Sequence, residues 1–135
     1  PKVFFYEIML SETFGFNDKR QKIINVLRKN YKKNMPTKIN SSNLCINLLN
    51  INDIVNAIQI IIDKNIKPKK YILKNKTTYK ISDLINKFNK KNKKKIKVKW
   101  LSNRIISEKI FKYATLKKWK PQQSKMEDVF NIIKG

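Results

Sequence analysis

Apolar residues recur along this chain in short blocks whose spacing alternates between the period of a strand and that of a helix. Val3, Phe4, Phe5, Ile8, Met9 and Leu10 form a run that stops at Ser11-Glu12-Thr13. The run predicts a buried strand over 3–10, then a loop through Gly15. Asp18 and Gln21 have the spacing of a capping box, and Ile23, Ile24, Leu27 and Tyr31 supply the apolar side of the helix it would open. Pro36 ends that unit, because proline cannot continue a helix. After a polar turn at 40–43, residues 44–51 read as a strand. Asp53 then opens a helix with Ile54, Ala57, Ile58, Ile61 and Ile62 on one stripe.

The second half repeats this alternation. Tyr71-Ile72-Leu73 is a short strand, and Ile81, Leu84, Ile85 and Phe88 have the i, i+3, i+4, i+7 spacing of a packed helix. Ile96, Val98 and Trp100 alternate with Lys95, Lys97 and Lys99, which predicts a strand with one apolar face and one solvated lysine face. Ser124 and Glu127 form a second capping box before Met126, Val129, Phe130 and Ile133, and Gly135 stands where that helix stops. No internal repeat and no long linker interrupts the series. The expectation is one α/β unit over residues 1–135.

Composition changes this picture only in part. The chain has 32 Lys and Arg against nine Asp and Glu, a net charge of +23. Such a surface attracts phosphate and leaves open, as an alternative function, a small basic nucleic-acid-binding module. Only Arg20, Arg28 and Arg104 are arginines, however, whereas dedicated readers of nucleic acid draw on the bidentate guanidinium. The longest aliphatic stretch is too short to cross a bilayer, so no membrane partner is expected. The lone Cys45 allows no internal disulfide, which makes a reducing, cytoplasmic setting the default. A start at Pro1 instead of Met points to further residues upstream.

The chemistry available within these residues is narrow. There is no histidine, the commonest general base. No zinc-type ligand cluster can be assembled, and Gly15 and Gly135 alone cannot make a phosphate-cradling loop. Tyr113 and Lys117 have the Tyr-x-x-x-Lys spacing of a proton-transfer pair. In so lysine-rich a chain that spacing carries little weight, and Tyr113 reads as a packing residue. Catalytic, cofactor-binding and metal-binding residues are therefore expected to be absent.

Four ordered segments resemble the second half of the extended short-chain dehydrogenase/reductase family, the NAD(P)-dependent nucleotide-sugar epimerases and dehydratases. They are Leu10-Ser11-Glu12-Thr13-Phe14-Gly15-Phe16-Asn17-Asp18-Lys19-Arg20; Asn50-Ile51-Asn52-Asp53-Ile54-Val55-Asn56-Ala57; Tyr71-Ile72-Leu73 followed by Ile81-Ser82-Asp83-Leu84-Ile85; and Leu116-Lys117-Lys118-Trp119-Lys120-Pro121 before the Ser124 helix. The first is closer to members that act on CDP-linked deoxysugars. The resemblance implies a partial Rossmann-like sheet edge plus a small mixed α/β substrate-binding lobe.

It also implies a nucleotide-diphosphate sugar as ligand and NAD or NADP as the cofactor of the full-length parent. The glycine-rich loop and catalytic Tyr/Lys would lie in a missing Rossmann half, leaving this chain inactive alone, and the parent would form a homodimer. A role in surface-polysaccharide synthesis follows from the same resemblance. Carried over residue by residue, Arg104 falls at a phosphate-contacting arginine, Lys22 and Ile23 at the helix start beside the nucleotide, and Pro36 in the segment flanking the base. Ile46 departs from the pattern where many members have a second phosphate-binding arginine, and Leu101 stands where a glycine is usual.

Overall fold

The computed structural model describes residues 2–107 and 113–135. In chain order the elements are β1 (Glu7–Leu10), β2 (Glu12–Phe14), α1 (Ile23–Lys32), β3 (Thr37–Ile39), β4 (Leu44–Ile46), β5 (Leu48–Asn50), α2 (Ile51–Asp63) and β6 (Lys70–Leu73). They continue with β7 (Tyr79–Lys80), α3 (Ile81–Lys91), β8 (Val98–Trp100), β9 (Ile106–Ser107), β10 (Ala114–Thr115) and α4 (Met126–Lys134). The expected α/β class is the observed one.

Adjacent leucines on β5 show how the interior is divided. Leu48 and Leu49 are both fully buried, and because successive strand residues point to opposite sides they enter different cores. Leu49 joins Ile54, Ala57 and Ile61 of α2, Tyr71 and Leu73 of β6, Leu116 and Trp119. This core lies between α2 and a parallel three-stranded sheet in the order β1-β6-β10. Leu48 joins the larger core built by α1, α3 and α4, where Phe88 meets Tyr31 and Phe130 edge-to-face. Around that core lie the parallel pair β3-β8 and the mixed sheet β7-β4-β9. A sheet portion and a mixed lobe thus share one central strand.

Where the two cores meet sits Asp53, 3% exposed. Its carboxylate accepts the Gln122 N–H at 2.8 Å, the Gln123 N–H at 3.0 Å and the Ser124 hydroxyl at 2.5 Å. Ser124 Oγ in turn accepts the Asn50 N–H at 2.8 Å, and the Trp119 indole N–H donates to the Asp53 carbonyl at 3.0 Å. Beside it, Asn75 Nδ2 donates to the carbonyls of Leu48 and Ser124. Asn47 receives the Asn75 N–H at 2.8 Å. A buried carboxylate is tolerated only when its lone pairs are satisfied, and here neutral donors do so, with no ion pair to a described cation.

The helix predicted from Ile81, Leu84, Ile85 and Phe88 and the one predicted after Ser124 form as α3 and α4 and keep their expected buried residues, with Ile132 added to the last and Met126 only half-buried. Several expectations are corrected. The first strand is confined to Glu7–Leu10, and Val3, Phe4 and Phe5 are exposed. The predicted strand at 44–51 divides at Asn47, whose side chain turns inward to bond the 75–78 loop. Helix α2 begins at Ile51 with Asn50 as its cap, two residues before Asp53. Ile58 and Ile62 leave the predicted core stripe for the surface. Neither capping box forms. Ser124 is taken by Asp53, so Asp128 caps the Lys125 N–H instead. Asp18 closes on Arg20, and α1 starts after Lys22 with no side-chain cap.

Two measurements check this account. Asp53→Asn replaces an acceptor by a donor that faces other donors, so the urea midpoint should fall by the equivalent of about 2–3 kcal/mol. Asp63→Asn, on the exposed end of α2, should stay within about 0.5 kcal/mol. The Arg20 guanidinium, 2.7 Å from Asp18, holds that carboxyl down at about 2 against an ordinary 3.8. A depressed carboxyl adds stability above its unfolded pKa and loses it as pH falls through the folded one. The stability difference between the native protein and Asp18→Asn should therefore be constant above about pH 4 and shrink between pH 4 and 2.

Candidate functional site

The polar turn at 40–43 acts as a clasp. Strands β3 and β8 run parallel with Thr37 opposite Val98, Lys38 opposite Lys99 and Ile39 opposite Trp100. Beyond their ends the Leu101 N–H donates to Ile39 O at 2.9 Å, and Ser102 Oγ donates to Asn40 O at 2.7 Å. The Ser42 N–H reaches Ser102 O at 3.0 Å, and Asn43 Nδ2 reaches Asn103 O at 2.5 Å. The buried Ser41 hydroxyl donates to the Arg104 carbonyl. The backbone carrying Arg104 is thereby fixed at both sides, while its exposed guanidinium has no hydrogen-bond or ion-pair partner among the described residues. An arginine held in this way presents a planar fork suited to two oxygens of one phosphate.

The other three sequence-predicted residues lie apart from it. Lys22 precedes α1 and pairs with Glu12 of β2 at 3.2 Å. Ile23, the first residue of α1, is half-buried and packs on the larger core. Pro36 is exposed just before β3, and its carbonyl accepts Asn30 Nδ2 at 3.5 Å. Parallel pairing puts Pro36 and Arg104 beyond opposite ends of the β3-β8 pair. The described contacts do not gather the four into one cluster. Ile46 is buried in the larger core, so a guanidinium at its place would need a different lining, and Leu101 is exposed.

Sequence reasoning missed a groove of about 540 Å³ lined by Asp18, Arg20, Asn25, Arg28, Lys29 and Lys32 among others. None of the four predicted residues lines it. Its two arginines are already engaged, Arg20 by Asp18 and the Thr13 hydroxyl, Arg28 by the Phe16 carbonyl. The i, i+4 spacing of Arg28 and Lys32 on an amphipathic helix was the available signal. Tyr113 is half-buried and donates to Glu7 at 3.1 Å, which agrees with a packing role. Among the described residues no group of acids and Cys45 could hold a metal ion, and no helix is long and apolar enough to cross a membrane.

No family model matches the chain, and no curated protein matches it in sequence. Solved structures do match in fold. UDP-glucose 4-epimerase of Thermus thermophilus, in complex with NAD, superposes with a TM-score of 0.76 at 9% identity over 98% of this chain and 47% of its own. UDP-glucuronic acid 4-epimerase of Bacillus cereus, also with NAD, gives 0.72 at 19% identity over 94% and 43%. The dTDP-glucose 4,6-dehydratase of Bacillus anthracis with NAD gives 0.66 at 14% identity over 93% and 43%. This chain spans less than half the length of each, and it carries the α/β fold of that part of these nucleotide-sugar epimerases and this dehydratase.

Proposed function

We propose that this chain is the substrate-gripping part of an NAD(P)-dependent nucleotide-sugar epimerase, dehydratase or reductase, and that it binds a nucleotide-diphosphate sugar without catalysing its conversion alone. The observation that carries the reading is the superposition of nearly the whole chain on such enzymes, one of them solved with UDP-glucuronic acid and NAD together. Arg104 on its clasped loop would pair with the diphosphate. Lys22 and Ile23 at the start of α1, with Pro36 before β3, would flank the nucleotide. A CDP-linked deoxysugar destined for surface polysaccharide is the ligand favoured by the segment around Phe14 and Gly15. The absence of histidine and of a glycine-rich loop from the sequence supports inactivity of this part alone.

In the complete polypeptide a Rossmann half would supply the NAD or NADP site and the catalytic Tyr/Lys pair, and the whole would form a homodimer in the cytoplasm. The sheet supports a missing half. Parallel sheets are buried on both faces and extended by neighbours, yet β1 ends this one among the described residues.

A melting series with CDP-glucose and UDP-glucose tests the reading. A nucleotide sugar at about 100 times its Kd adds about 2.7 kcal/mol, a rise of several degrees for a domain of this size. Arg104→Ala should weaken binding by about ten- to a hundredfold, and Arg104→Lys should recover only part of that loss. A flat melting temperature with every nucleotide sugar would overturn the proposal.

One observation favours the alternative of a nucleic-acid-binding module. Lys38 and Lys99 are direct cross-strand neighbours and neither has a described acidic partner, an arrangement that is unfavourable until an anion covers it. That reading requires oligonucleotide affinity to fall steeply with salt and to drop in Lys38→Glu and Lys99→Glu.

A further inference from the structure

A second concavity, of about 280 Å³, differs in kind from the basic groove along α1. It lies between the loop after β2, the first turn of α2, the segment around Gln123 and α4. Although 32 of the 135 residues are Lys or Arg, none of the residues lining it is. Carboxamides take their place. Asn17, Asn50, Asn52, Gln123 and Asn131 line it together with Asp128 and Phe16. None of Lys22, Ile23, Pro36 and Arg104 does.

The fold holds these groups in set orientations. Asn50 is 6% exposed and caps α2. Its Oδ1 accepts the Asn52 N–H at 2.9 Å, so the carboxamide cannot turn over, and its Nδ2 has no partner among the described residues. Asn52 Nδ2 donates to Gln123 Oε1 at 2.9 Å, which leaves Asn52 Oδ1 as an acceptor and Gln123 Nε2 as a donor. One oxygen of Asp128 accepts the Lys125 N–H and the other is open. Asn131 follows Asp128 by three residues, on the same side of α4. The loop opposite is fixed too. Gly15 lies so close to α2 that an added Cβ would stand 2.8 Å from Ile51 Cγ2, and the Phe16 carbonyl accepts the Arg28 guanidinium. The Phe16 side chain is left 56% exposed.

We propose that this groove binds the ring of a neutral sugar, a pyranose carried by a glycoside or oligosaccharide. A hydroxyl both donates and accepts, so a wall of open donors and acceptors, most of them on carboxamides, matches neighbouring hydroxyls on a sugar rim. The exposed aromatic ring of Phe16 supplies an apolar platform for the C–H face of the same ring. A ligand bearing phosphate is a poor occupant, because no cation lines the groove to receive it and the Asp128 carboxylate repels it. A flat base fits less well too. Its polar atoms lie along edges in one plane, whereas the open groups here come from α2, the segment around Gln123 and α4. This site goes beyond the nucleotide-sugar reading and does not depend on it.

The test titrates the isotope-labelled 135-residue chain with the methyl α-glycosides of glucose, galactose and mannose and follows the side-chain amide resonances by NMR. At least one glycoside should shift the Asn50, Gln123 and Asn131 amides saturably, with a Kd of about 1–10 mM, the range for a small ligand held by a few polar contacts. Phe16→Ala and Asn131→Ala change exposed side chains, so each should leave the melting temperature unchanged and weaken this binding by about fivefold or more. No saturable shift up to about 100 mM with any of the three overturns the proposal, as do shifts that persist at full affinity in both variants. A stronger response of the same amides to cytidine or to inorganic phosphate also overturns it, in favour of a base or an anion. The rise in melting temperature with a nucleotide sugar should be the same in Asn131→Ala as in the native chain, so the two readings stand or fall separately.

Discussion

The buried carboxylate of Asp53 is the interaction on which the arrangement of this protein depends. It stands on the first turn of α2, at the seam between the two cores, and collects the backbone of the segment that leads into α4. That one side chain therefore joins the helix packed on the parallel sheet to the lobe built by α1, α3 and α4. The interior around it is apolar on both sides, so a donor lost from this set would leave part of a buried carboxylate unsatisfied. The Asn47 and Asn75 side chains extend the same arrangement to the 75–78 loop, where they bond main-chain groups that no strand ladder satisfies.

Charge works against this compactness. A net +23 on 135 residues favours expansion, and the four ion pairs among the described residues are partly or fully solvent-facing, where such pairs contribute little. Lysine stems still cover apolar surface while their ammonium groups stay in water. Lys94 lies 4.6 Å over the Tyr31 ring, and Lys91 and Lys69 do the same at Phe130 and Tyr71. Burial in two cores that share β5, supported by this lysine cover, has to outweigh the repulsion.

Much of the fold was legible in the sequence because period and burial agree where the apolar side of an element packs into one of the two cores. The stripe of α3 is of this kind, whereas in the predicted lysine-faced strand Ile96 is buried but precedes β8, Val98 is half-buried and Trp100 is exposed. The reading failed where apolar residues of a periodic stripe are left exposed. Ile58 and Ile62 look the same in a helical stripe as Ile54 and Ile61, and nothing in their spacing says which pair is covered. The capping boxes failed for a different reason. Ser124 and Asp18 have local spacing that suits a cap, but each found a stronger partner in Asp53 and Arg20. The clasp around Arg104 was invisible because its members lie about 60 residues apart in sequence.

The long separations also bear on how the molecule comes into being. Asp53 and Ser124 are 71 residues apart, and Asn50 waits for the same hydroxyl. During synthesis the first turn of α2 leaves the ribosome well before the residues that satisfy it, and closure over such a distance costs entropy before it returns any contact. Until Ser124 emerges, the seam between the cores stays wet and Leu49 lacks Leu116 and Trp119 beside it. This part of the nascent chain thus becomes locked only once the 116–124 stretch has emerged, so a ribosome stalled before residue 124 would hold a collapsed but unlocked polypeptide, the kind of species that chaperones bind.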